Sequence, residues 1–190
     1  MKDGNASISA PDIGSYDFTS LGGTLGWDSK GTITGSFAGE AFDSHFKGDL
    51  KYTNTNNMEI SLETDPVSLT SLKPLLEQFP QISSKLDIDK GTGQVTSAKI
   101  WKSDGAVAYH VQGSIKDAAL RYDHFILADG AAFFDIENGE AVITEAAVKV
   151  NGQTFTGDAK VLFDVDDPIL MGHVTPVSYT HLTLPTNSLV

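Results

Sequence analysis

The chain has 190 residues, with 13 Lys and Arg against 25 Asp and Glu for a net charge of −12, and it contains no cysteine. An acidic chain with a single arginine, Arg121, and no basic cluster repels phosphate backbones and anionic lipid surfaces, which argues against nucleic-acid binding. The missing thiols exclude disulfide scaffolds, thiol catalysis and cysteine-based zinc sites, while 40% hydrophobic residues suit a folded chain of one-domain size.

From the N-terminus, Met1 to Asn5 is polar with no apolar stretch behind it, so neither a signal peptide nor an anchor is expected here. No apolar run reaches the ~20 residues of a membrane helix. The first hairpin is expected from Thr32 to Phe37 and Phe42 to Tyr52, turning at Ala38-Gly39-Glu40-Ala41. Its second arm alternates cleanly: Phe42, Phe46, Leu50 and Tyr52 on one face, Asp43, His45, Lys47, Asp49 and Lys51 on the other. Met58, Ile60 and Leu62 repeat the pattern against Glu59, Ser61 and Glu63. Leu69, Leu72, Leu75, Leu76 and Phe79 then fall at helical spacing, with Pro74 suited to the first turn and Pro80 as a stop, which predicts a short amphipathic helix.

Alternation returns with Val107, Tyr109, Val111 and Ile115, and again with Phe155, Ala159, Val161, Phe163 and Val165. Asp104-Gly105, Asn138-Gly139 and Asn151-Gly152 can supply the positive φ angles of two-residue turns, giving hairpins over roughly 95–115, 132–149 and 143–164. Three segments share an apolar-x-Gly-Asp/Ser-apolar-Lys pattern: Phe46 to Lys51, Val111 to Lys116 and Phe155 to Lys160. Each puts its glycine, Gly48, Gly113 or Gly157, on the apolar face, where a strand bends or backbones approach closely. Residues 1–176 therefore read as an elongated β-meander. Residues 177–190 carry no charge, and Val177-Ser178-Tyr179-Thr180-His181-Leu182 resembles the translation of a sequencing adapter, so they are set aside as a non-native tail.

Motifs for chemistry are missing. His45, His110, His124, His173 and His181 show no ligand spacing, Asp87-Ile88-Asp89-Lys90-Gly91 lacks the closing glutamate of a calcium loop, and Asp164, Asp166 and Asp167 before Pro168 are turn residues. No G-x-S-x-G elbow, S-x-x-K pair or phosphate-binding glycine loop occurs. Catalysis and a cofactor are not expected. What remains is the apolar face itself, either the core of an ordinary sandwich or the lining of a trough.

Pro66-Val67-Ser68-Leu69-Thr70-Ser71-Leu72-Lys73-Pro74-Leu75-Leu76, then Leu86-Asp87-Ile88 leading to Gly93-Gln94-Val95, then Gly113 to Leu120, and finally Val150 to Gly157 together resemble the AsmA-like superfamily of envelope proteins, in its TamB-like (translocation and assembly module) branch. The resemblance covers residues 67–176, with 24–65 compatible with it, and makes the chain an internal fragment of a longer protein. It implies an all-β fold, a curved antiparallel meander forming an open, taco-shaped groove, with Phe42, Phe46, Leu50, Tyr52, Val107, Tyr109, Val111, Phe155, Val161 and Phe163 lining it. The same resemblance implies a full-length protein anchored in the inner membrane and crossing the periplasm, phospholipid acyl chains as cargo, and an outer-membrane β-barrel as partner. The other expectation is an extracellular β-sandwich for adhesion or carbohydrate binding, with Trp27 and Trp101 stacking on sugars.

Overall fold

The computed structural model describes residues 4–10, 14–54, 57–77, 83–103, 106–162 and 169–177. They form one open antiparallel sheet in chain order, curved and not closed into a barrel: β1 (Gly4–Ala10), β2 (Gly14–Trp27), β3 (Ile33–Ala41), β4 (Ser44–Asn54), β5 (Asn57–Thr64), β7 (Leu86–Ser103), β8 (Ala106–Tyr122), β9 (Phe125–Glu137), β10 (Glu140–Val150), β11 (Gln153–Leu162) and β12 (Ile169–Pro176). The two-residue β6 (Val67–Ser68) pairs with β7 beyond the end of β5.

Turn chemistry sets the meander. Asn138-Gly139 and Asn151-Gly152 adopt positive φ at both positions (42° and 90°, 48° and 87°), as a two-residue hairpin requires. Both asparagines also reach sideways, Asn138 Oδ1 accepting from the Tyr109 N–H at 2.9 Å and Asn151 Oδ1 from the Ile126 N–H at 3.1 Å. Each turn is thereby tied to the strand before its own hairpin. The first hairpin differs from expectation: β3 runs on to Ala41 and the turn is Phe42-Asp43, with φ of 52° and 58°. Phe42 thus belongs to the turn and not to the strand face. The turn expected at Asp104-Gly105 lies outside the described residues, as do Phe79, Pro80, Phe163 to Pro168 and 178–190. Val177, placed in the tail by sequence, donates its N–H to the Thr154 carbonyl at 2.8 Å.

Period-two reading stops wherever a strand is bulged, because one extra residue exchanges the faces. Ser20, Asp117, Asp129 and Glu145 take positive φ (53°, 52°, 51° and 51°) at register breaks in β2, β8, β9 and β10, and β7 is broken at Gly91 (φ 132°) and again between Val95 and Ser97. The breaks at Gly91, Asp117, Asp129 and Glu145 fall in four consecutive strands.

The chain between β6 and β7 is a 3-10 turn, Leu69–Leu72, followed by α1, Lys73–Leu76, with Pro74 in the first helical turn as expected. Ser68 stands at the N-cap position but bonds the Thr70 hydroxyl (2.7 Å) and not the backbone. Leu69 lies over the flat backbone of Gly91 and Gly93. Ser71 donates to Asp43 at 3.1 Å and Lys73 pairs with Asp87 at 3.1 Å, so this segment braces the β3–β4 turn against the start of β7.

Candidate functional site: an uncovered apolar face

Register assigns each residue to a face, since directly opposed residues share one. One row runs unbroken through nine strands: Gly23, Phe37, Gly48, Leu62, Ala98, Val111, Ile136, Ala141 and Val161. At the spacing of neighbouring strands it is about 38 Å long. Every member is apolar or glycine. The next row toward the β7–β8 turn holds Leu25, Gly35, Leu50, Ile60, Ile100 and Tyr109, and the rim holds Trp27, Ile33, Tyr52, Met58, Lys102 and Val107. The opposite face is polar, as in Ser36, Asp49, Ser61, Lys99, His110, Glu137 and Glu140, again directly opposed.

A single layer needs its own means of packing. Here large side chains lie on glycines of the neighbouring strand. A Cβ at Gly48 would sit 2.6 Å from Phe37 Cζ, and one at Gly39 would sit 2.9 Å from Phe46 Cζ. Phe134 covers Gly113 in the same way. Phe46 also meets Phe18 edge-on at 5.7 Å and Phe37 at 6.3 Å, and it is the one buried aromatic side chain among the described residues. The three repeat glycines share a further property: a Cβ at Gly48, Gly113 or Gly157 would overlap the backbone carbonyl oxygen of Ser61, Gln94 or His173 on the adjoining strand.

Among the described residues, Leu69 lies over the apolar face at Gly91 and Gly93, and no second sheet covers the rest. Among the described residues only Phe46, Ile88, Ala98 and Ala118 are buried hydrophobics, and no side chain is fully buried, whereas Leu25, Trp27, Ile100, Val107, Phe125 and Val174 are 43–80% exposed. Folded monomers rarely leave a contiguous apolar surface of this extent in water.

Eight of the ten residues expected to line a groove, Phe46, Leu50, Tyr52, Val107, Tyr109, Val111, Phe155 and Val161, share this face. Phe42 is in its turn, and Phe163 lies outside the described residues. Trp27, at the rim, and Trp101, opposite Ala108 on the polar face, stand on opposite sides of the sheet and form no common platform. The sandwich expectation is not met among the described residues, which form one sheet. Sequence reading missed Phe37, Phe134, Ile100 and Ala98 as face members, while it had placed Leu62 there.

The polar face is a lattice of cross-strand pairs: Lys47 with Glu63, Lys99 with Glu59 (3.5 Å), Lys149 with Asp129 (2.7 Å) and Lys160 with Glu140 (2.7 Å). The Lys149 ammonium, by hydrogen bond and charge, holds the Asp129 carboxyl below the usual carboxylate range. Lys73 and then Arg121 do the same for Asp87, and for Asp135 the Gln112 amide leads, with His110 adding to it. A depression of about 590 Å³ on this face, beside Ser36, Lys47, Asp49, Ser61 and Glu63, has the Lys47–Glu63 pair in its wall. Among the described residues no three His, Asp or Glu side chains converge to hold a metal ion, and no helix is long and apolar enough to cross a membrane. Compared with family models, curated proteins and solved structures, the chain matches none.

Proposed function

We propose that the apolar face is a binding surface for the hydrocarbon chains of lipids, and that the protein is a non-enzymatic groove segment carrying phospholipid between the membranes of a cell envelope. The observation that supports this most is the nine-strand apolar row with no second sheet among the described residues packed on it. An acyl chain exposed to water costs ~0.8 kcal/mol per CH₂, so a sixteen-carbon chain lacks on the order of 10 kcal/mol of stability without cover. A strip of Phe, Leu, Ile and Val supplies cover without directional bonds, which lets a chain slide along it. The acidic polar face keeps the sheet in solution. The resemblance to TamB-like envelope proteins points the same way, toward the periplasm and an outer-membrane β-barrel partner.

The test is native mass spectrometry and lipid extraction of the purified protein beside Ile100→Glu and Val174→Glu. Both residues are exposed on the apolar face, at 43% and 66%, so the variants keep the fold. Co-purified phospholipid that falls in both variants supports the reading. Wild-type protein that carries no lipid, and takes none from micelles, refutes it.

A further inference from the structure

The two Asn-Gly pairs of the chain, Asn138-Gly139 and Asn151-Gly152, form hairpin turns of the same geometry, with φ of 42° and 48° at asparagine and 90° and 87° at glycine. Each asparagine exchanges two bonds with the strand before its hairpin. Asn138 donates its N–H to the Tyr109 carbonyl at 3.4 Å and accepts the Tyr109 N–H on Oδ1 at 2.9 Å. Asn151 does the same with Ile126, at 2.9 Å and 3.1 Å. The turns differ at the glycine. Gly139 is buried, and its N–H donates to the Tyr109 hydroxyl at 2.9 Å. Gly152 is exposed, as are Asn151 and Gln153 on either side, and nothing stands within 4 Å of the place a Cβ would take. Its N–H meets no acceptor among the described residues.

We propose that Asn151 is a deamidation site of this protein and that Asn138 is protected. In the reaction the Gly152 nitrogen gives its proton to hydroxide and attacks Asn151 Cγ. The Cγ–Nδ2 bond breaks, ammonia leaves with a proton from water, and a five-membered succinimide remains. Water then opens one or the other carbonyl of the ring, giving aspartate or isoaspartate. An Asn-Gly pair permits the closure because glycine has no side chain to bar the approach. The Ile126 N–H, already on Oδ1, stands where negative charge develops during the attack. At Asn138 the Tyr109 N–H is an equal donor, so the nucleophile decides. Hydroxide reaches the exposed Gly152 N–H, whereas the Gly139 N–H must first leave the Tyr109 hydroxyl and its buried place. The two products differ in consequence. Aspartate keeps an oxygen for the Ile126 N–H and puts a negative charge on the uncharged tip Val150-Asn151-Gly152-Gln153. Isoaspartate adds a carbon to the backbone of a two-residue turn and releases Ile126, so the β10–β11 turn loses this tie to β9. The inference goes beyond the groove reading and stands even if the sheet carries no lipid.

The experiment keeps the whole chain in mildly alkaline buffer, with and without denaturing urea, and follows both asparagines in time by peptide mass spectrometry. In the folded chain Asn151 is expected to convert roughly tenfold faster than Asn138, or more. In urea the two rates are expected to converge, since both belong to the same dipeptide. Tyr109→Phe is expected to raise conversion at Asn138 and leave Asn151 unchanged. The isoaspartate product, separated by chromatography, is expected to exchange its Ile126 amide faster than the aspartate product does. Equal conversion of both asparagines in the folded chain, an Asn151 that converts only in urea, or a ratio that persists in urea overturns the inference. So does a Tyr109→Phe chain in which Asn138 stays as slow as in the wild type, or equal Ile126 exchange in the two products.

Discussion

Replacing Gly113 by alanine tests how a one-layer sheet packs. On local grounds the change should help, because glycine inside a strand is entropically unfavourable by roughly 0.5–1 kcal/mol relative to alanine. The structure reverses the sign. The new methyl would overlap the Gln94 carbonyl oxygen, part of the neighbouring backbone, and would displace Phe134, whose Cε1 stands 3.0 Å from the methyl position. Overpacking of this kind costs about 1–3 kcal/mol, and the strand pair must part locally to accept it. For a chain of this length a net loss near 2 kcal/mol lowers Tm by roughly 4–8 °C. The assay is urea and thermal unfolding by circular dichroism, with Gly26→Ala as control, since the nearest atom to a Cβ there is Thr34 Oγ1 at 3.9 Å. Gly26→Ala should be neutral or slightly stabilising. Adding Phe134→Ala to Gly113→Ala should recover little, because the carbonyl remains in the way. Gly113→Ala as stable as the wild type, or a double variant restored to the Phe134→Ala level, refutes the reasoning.

Tyr109→Phe removes the hydroxyl that accepts the N–H of buried Gly139 at 2.9 Å and should cost about 1–2 kcal/mol in urea unfolding, whereas a loss of lipid alone would make Tyr109 a ligand group. Leu69→Ala should free the brace between β6 and β7, read as faster amide exchange at Gly91 and Gly93 with the β10–β11 amides unchanged. Asp129, held low by Lys149, contributes stability at pH above its unfolded value near ~3.9 that is lost as the pH falls toward its folded value. Lys149→Met should raise the Asp129 carboxyl titration seen by carbon-13 NMR and move acid unfolding to higher pH, and an unmoved titration would show that the 2.7 Å pair does not persist in solution.

The sequence made the meander legible wherever turns and alternation agreed, as at Asn138-Gly139 and Asn151-Gly152. It concealed β2 because Ser20 shifts the phase between Phe18 and Leu21, leaving Leu21, Gly23, Leu25 and Trp27 on a new alternation too rich in glycine to read as a strand. Asp117 and Asp129 hid the extension of β8 and β9 in the same manner, and Phe42 was misplaced because its apolar side chain outweighed the turn signal of Asp43. The face was legible from its large residues. Its continuity was not, since Ala98, Gly23 and Gly48 join the row by register alone.

Each strand of this sheet packs on the one before and the one after it, and among the described residues the first and last lie at opposite edges. Free energy in such an object is a sum over neighbouring hairpins, as in repeat proteins. Melting should therefore start at β1 or β12 and move inward as a front. Hairpins could be added or removed at an edge without disturbing those left behind, and the length of the apolar strip could then change while the packing of each strand stayed the same.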